Sequence, residues 1–221
     1  MTADASPRTL SLAAAQDAGD LAAFLARQLR WDRAAAARLQ ADGEVVAVFT
    51  RPARFEVIAV RPCLLRAPAR LDVTVSAGEL AEAIDVERGE FTVPGQVTGP
   101  AWAGLLPPRG GWRALGEPAA ERVREAAGAV VAEFRARTEA LAAGERTRAA
   151  LDALAEEIWS RTLPGTPLPL RAVHAAHALG LLRAAGPLAV LACGSWLRLR
   201  TPLGSTAVRR AGLPGLSVTP R

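Results

Sequence analysis

His174 and His177 are the only histidines in the chain. Three residues apart on a helix, they would stand on one side, as two ligands of a metal ion do. A third ligand would have to come from Cys193 or Cys63, no carboxylate follows Glu157, and the flanking residues are Ala, Val and Leu. The expectation is therefore two packing or surface histidines, with no metal and no cofactor. The two cysteines lie far apart in apolar runs, which predicts free thiols and a reducing, cytoplasmic setting. The segment Trp196-Leu197-Arg198-Leu199-Arg200 carries a different chemistry. In a strand, Leu197 and Leu199 share one face while Trp196, Arg198 and Arg200 share the other. An indole beside guanidinium groups can stack on bases and pair with phosphates, and Arg209 and Arg210 are further partner-binding candidates in the same basic third. The same pattern also arises when arginine stems cover a tryptophan on a solvated sheet. A second candidate is the stretch between Trp102 and Trp112, where Arg109 could clamp an anion over a pocket. Its tryptophans could equally pin the loop across the core.

No G-x-S-x-G elbow, G-x-G-x-x-G turn, phosphate loop or H-E-x-x-H helix is present. Cys193-Gly194-Ser195-Trp196 resembles the nucleophile segment of papain-like proteases, but a serine stands where that pattern has its second cysteine, and the context is a strand rather than a helix start. No catalytic residue is assigned.

The elements that must position these residues read as an α+β order. Asp20 is placed to cap a helix over 21–30, and Asp32 to cap an Ala-rich helical turn through Leu39. The runs 44–49 and 55–60 predict a hairpin turning at Arg51-Pro52-Ala53, and Leu71 to Val75 a third strand. Ser76 and Glu79 have the form of a capping box for a helix through Ile84; Phe91 to Val93 reads as a fourth strand. The strand-helix-strand piece, with its run DVTVSAGELAEAI from Asp72, resembles one repeat of the DNA sliding clamps, although the length and threefold domain count of that family are not met. Residues 94–116 are too rich in Pro and Gly for a regular element. Helices are expected over 118–143, 147–160 and 169–182, then a strand meander over 188–193, 196–200 and 206–209. Three helices followed by a meander is also the element order of winged-helix domains.

All 27 basic residues are arginine, a bias that a GC-rich genome produces through its codons. Their distribution says more: eight arginines and no carboxylate follow Glu157, whereas the first 157 residues hold 19 arginines against 22 acids. The most apolar stretch, 172–193, is interrupted by His174, His177, Arg183, Gly186 and Pro187, so no membrane span is expected. The N-terminus lacks the apolar run of a secretory signal. The expected organisation is an α+β region over 1–95 with a small sheet and helices, an ordered loop over 96–116, and a helical bundle with a basic β-meander over 117–221. The leading functional reading is a non-enzymatic binding or regulatory protein whose basic C-terminal third engages an acidic macromolecule, either nucleic acid or protein. An enzyme with its pocket beneath the Trp102–Trp112 loop, and a scaffold subunit of a protein complex, are the alternatives.

Overall fold

The computed structural model describes residues 8–210; Asp4 and Arg221, which entered the charge balance, lie outside the described residues. The α+β class holds. The first half is organised by a long antiparallel hairpin, β2 (Ala36–Thr50) and β3 (Val57–Ser76). The run from Ala36 to Leu39 is strand, not the helical turn its alanines predict. Ala37, Leu39 and Ala41 are buried and alternate with Arg38, Gln40 and Asp42, a period-two pattern that tertiary burial rewards over intrinsic helix propensity. The expected third strand, Leu71 to Val75, is the far end of the same β3. Between Gly43 (φ +91°) and Val45 the register shifts, so the buried parity of β2 changes from Ala37, Leu39 and Ala41 to Val46, Val48 and Thr50. This irregularity lets both halves of one long strand face one core.

Ahead of the hairpin lie β1 (Thr9–Ser11) and α1 (Ala15–Leu29). Helix α1 starts well before Asp20, which is not its cap: the Asp20 carboxylate sits 3.3 Å from Arg61 on β3, and Asp17 lies 2.8 Å from the same guanidinium. After the hairpin, the Ser76 side chain accepts from the Glu79 amide and opens α2 (Ala77–Glu82). Strands β4 (Ile84–Asp85) and β5 (Glu90–Thr92) then complete a small sheet ordered β1-β5-β4. The Pro/Gly-rich stretch is more regular than expected, with a 3-10 turn at Ala101–Gly104 and a strand β6 (Arg113–Gly116).

Helices α3 (Ala120–Ala140), α4 (Arg148–Ser160) and α5 (Leu170–Ala178) follow, then β7 (Ala189–Cys193), β8 (Trp196–Thr201) and β9 (Gly204–Arg209). The meander does not stand beside the helices as a wing. Through Val57 opposite Val208 and Val60 opposite Ser205 it joins the hairpin in one antiparallel sheet ordered β2-β3-β9-β8-β7-β6. The third helix is likewise no groove reader, since its Ala172, Val173, Ala175 and Ala176 are buried. One face of the sheet packs against α1, α3 and α5 through Leu21, Phe24, Val123, Ala127, Val173, Val48 and Leu199. The opposite face carries a smaller cluster of Phe49, Ile58, Val60, Trp196 and Ala207.

Arg61 is the charged group most deeply placed in this arrangement, at 4% exposure, and it donates to the Leu203 carbonyl at 2.6 Å as well as to Asp17 and Asp20. Removing one partner of a buried ion pair typically costs about 3–5 kcal/mol. Because both carboxylates reach solvent, Arg61→Ala is expected to cost about 3 kcal/mol in urea unfolding, whereas replacing Arg61, Asp17 and Asp20 together by apolar residues should cost far less. A loss within error for the single variant would show that the triad does not hold α1 to the sheet.

Candidate functional site

The outer face of the sheet brings together the two groups of residues that the sequence singled out separately. Trp102, Leu106 and Trp112 pack onto the patch containing Trp196. Their strap is tied down by Arg38, which forks onto Asp72 at 2.8 and 3.0 Å and also donates to the Ala103 carbonyl at 2.8 Å. Those bonds hold the Asp72 carboxyl below its ordinary range. The indole N–H of Trp112 donates to the Pro108 carbonyl at 2.9 Å, and the Arg198 guanidinium lies 4.1 Å above the Trp112 ring. Burial pushes the Arg198 pKa down to about 10.

Alternation along β8 thus assigns the right face, but Trp196 is only 8% exposed beneath the strap and offers no stacking platform. Arg200 and Arg209 are exposed; Arg209 donates to the Ser195 hydroxyl at 3.4 Å and Arg210 to the Gly194 carbonyl at 2.7 Å. Arg109 stands apart, exposed and 3.4 Å from Asp42. The space under the strap is filled by packed side chains. A recess of about 1090 Å³ opens at its Trp102 end between the hairpin tip and α4, and part of its charge is internally paired, Asp152 lying 3.5 Å from Arg54 and 3.7 Å from Arg148.

The histidines do not share surroundings. His174 stacks on Trp159 with ring centroids 5.4 Å apart and meets Phe55 edge-on at 5.0 Å. Burial, aided by the His177 charge, pushes its pKa down to about 4. His177 is exposed and borders a recess on the helix side. Among the described residues no three His, Cys, Asp or Glu side chains converge as metal ligands. Cys63 is a free, buried thiol whose pKa burial pushes up to about 12; Cys193 is free and half-buried, 3.6 Å from the Gly110 carbonyl.

The helix-side recess went unread in the sequence. It is bordered by Arg27 of α1, Arg124 of α3, His177 of α5, and Gly180 and Arg183 just beyond α5. Those residues are scattered over more than 150 positions of chain, and no spacing rule joins them. The one local signal is Gly180 itself, which ends α5 at φ +79°.

Two solution properties follow from these surroundings. The unfolded chain protonates His174 near its ordinary pKa of about 6.5, while the folded chain resists until about 4. Stability should therefore be full above about pH 6.5 and fall as pH drops toward 4, by about 2 kcal/mol at pH 5; urea unfolding of wild type and His174→Phe at pH 7.5 and 5 reads the difference, and equal slopes would refute it. In a thiol titration of native protein, Cys193 should react promptly and Cys63 only on unfolding. Two fast thiols would contradict the burial of Cys63.

Residues 5–104 match the model of a domain of unknown function, DUF8010, and residues 107–213 match that of a second, DUF8185. No curated protein matches the chain in sequence. Among solved structures, the chain is similar to the DNA polymerase sliding clamp from Pseudomonas aeruginosa, with TM-score 0.50 and 12% identity over 97% of this chain and 68% of the clamp. It is also similar to a structure of the DNA polymerase III subunit beta from the same organism, with TM-score 0.51 and 13% identity over 98% of this chain and 68% of that one. At such identities the likeness is one of fold: the chain has a sliding-clamp-like α+β architecture over about two thirds of a clamp's length. No helix among the described residues is long and apolar enough to cross a membrane.

Proposed function

We propose that the chain is a non-enzymatic binding scaffold whose basic C-terminal third engages the phosphates of a nucleic acid. The observation that carries this reading is how the arginines after Glu157 are neutralised. Arg161 lies 2.9 Å from Glu133 and 2.8 Å from Glu157, and Arg171 is held by Glu56 and Glu156. Arg183, Arg198, Arg200, Arg209 and Arg210 have no carboxylate partner among the described residues. Internal pairing thus absorbs only part of the excess, and the exposed Arg200, Arg209 and Arg210 are available to an acidic partner. The likeness in fold to DNA polymerase sliding clamps favours nucleic acid over an acidic protein as that partner. With Trp196 buried, contact would run through phosphates and not through stacked bases.

Binding of single- and double-stranded oligonucleotides carrying 5′-hydroxyl ends, followed by fluorescence anisotropy at low salt, tests this directly. Affinity should fall steeply with added salt, and Arg200→Ala with Arg209→Ala should reduce the salt slope by about one to two units. Trp196→Ala should lower thermal stability, by about 3–5 kcal/mol for loss of a buried aromatic, while leaving the salt slope unchanged. Absence of binding to either strand form would refute the reading.

A further inference from the structure

An arginine that is half-buried on a helix ordinarily finds a carboxylate. Arg27 finds cations instead. Burial, then the charges of Arg183 and Arg30, hold its pKa below the usual arginine value, and the carboxylate that opposes them, Asp20, is shared with Arg61 at 3.3 Å. Like charges held near one another repel, and proteins sustain such an arrangement where packing enforces it.

Packing does enforce it here. The Arg27 guanidinium donates to the Ala23 carbonyl at 2.9 Å and lies against Gly180, where an added Cβ would come 2.9 Å from Arg27 Cζ. Gly180 takes the left-handed conformation at the end of α5, with its own amide bonded to the His177 carbonyl at 2.9 Å and the Leu181 amide to the Ala176 carbonyl at 2.8 Å. The residue that terminates the helix is thus also the one that leaves room for the guanidinium. Arg124 and Arg183 enter the same space from α3 and from beyond α5, beside His177. Together they border a recess of about 620 Å³ with no carboxylate in its lining. None of the three arginines has an ion-pair partner among the described residues.

We propose that this helix-side recess is a binding site for a single phosphate group. Three guanidiniums carried on separate elements suit a compact dianion whose oxygens point in several directions, and each presents a fork of N–H donors to such oxygens. The group belongs either to the end of a nucleic acid or to a small phosphorylated compound. The site lies on the opposite side of the sheet from Arg198, Arg200 and Arg209, and it stands whether or not those residues contact nucleic acid.

Inorganic phosphate is the probe, titrated calorimetrically into the full chain at constant ionic strength with chloride as the balancing anion. Saturable binding is expected. Arg124→Ala and Arg183→Ala, both at exposed positions, should each weaken it by about ten- to a hundredfold, and Arg200→Ala with Arg209→Ala should leave it unchanged. Oligonucleotides with and without a 5′-phosphate separate the two sources. A gain from the 5′-phosphate that disappears in Arg183→Ala assigns the site to a nucleic-acid end; phosphate binding without that gain assigns it to a small compound, and either result upholds the site. Heat no greater than for chloride, or phosphate binding unaffected by both single variants, overturns it. Because the probe contains no nucleic acid and the earlier titration used no terminal phosphate, the two readings fail separately.

Discussion

A guanidinium cannot be left dry inside a protein without partners, and that constraint at Arg61 organises the rest of the molecule. Arg61 projects from the helix-side face of β3 between Ala59 and Cys63, in what is otherwise an apolar layer. One terminal nitrogen donates to Asp17 and Asp20 of α1 and the other to the carbonyl of Leu203 in the β8–β9 turn, while its buried Nε has no partner among the described residues. One side chain therefore fixes the first helix, the longest strand and the C-terminal meander relative to one another. An apolar residue there would carry no directional bond to α1, whereas the Arg61 bonds to Asp17 and Asp20 are directional. The placement matters beyond stability, since Arg27 follows on the same helix and its position against Gly180 depends on where Asp17 and Asp20 anchor it.

The six-stranded sheet separates two environments with different tasks. On the helix side, Val46, Val48, Val57, Leu197 and Leu199 meet α1, α3 and α5 in one continuous core. On the other side a patch of five buried residues is too small to need a second helical layer, and the strap closes it with Trp102, Leu106 and Trp112. Arg38 ties the strap to β2 by its bond to the Ala103 carbonyl, the Trp112 indole bond to Pro108 is internal to the strap, and large aromatic area supplies most of the attachment. Arg198 joins this layer by lying on Trp112, an arrangement that dries the guanidinium without giving it a carboxylate.

The strands and helices of the C-terminal half were legible because each of their signals is local. Strict alternation in Trp196 to Arg200, turns at Gly194-Ser195 and Pro202-Leu203-Gly204, and proline at the helix starts all act within a few residues. Where the reading failed, a distant partner decided. Ala36 to Leu39 is strand because β3 pairs with it; α1 begins at Ala15 with no side-chain cap, and Asp20, read as its cap, serves Arg61 instead; the Pro/Gly-rich stretch gains β6 only through β7. The site follows the same division. Alternation showed that Trp196 and Arg198 share a face, yet not that a segment more than 80 residues earlier in the chain covers it. The helix-side recess draws on α1, α3 and the end of α5, so no window of sequence contains it.

The unneutralised arginines of β8 are a property of the register and not of flexible side chains. Opposite Arg198 stand Leu191 on β7 and Ala207 on β9; opposite Arg200 stand Ala189 and Ser205. Cross-strand neighbours are the partners a strand residue most readily reaches, and here none carries a carboxylate. The acids of α4 are committed elsewhere, Asp152 to Arg54 and Arg148, Glu156 to Arg171, and Glu157 to Arg137 and Arg161. A slip of one residue would not cure this, because it would carry Leu197 and Leu199 out of the core along with the arginines. As long as the core fixes the register, Arg198 and Arg200 keep cross-strand neighbours without a carboxylate, and the outer face of β8 keeps its positive charge among the described residues.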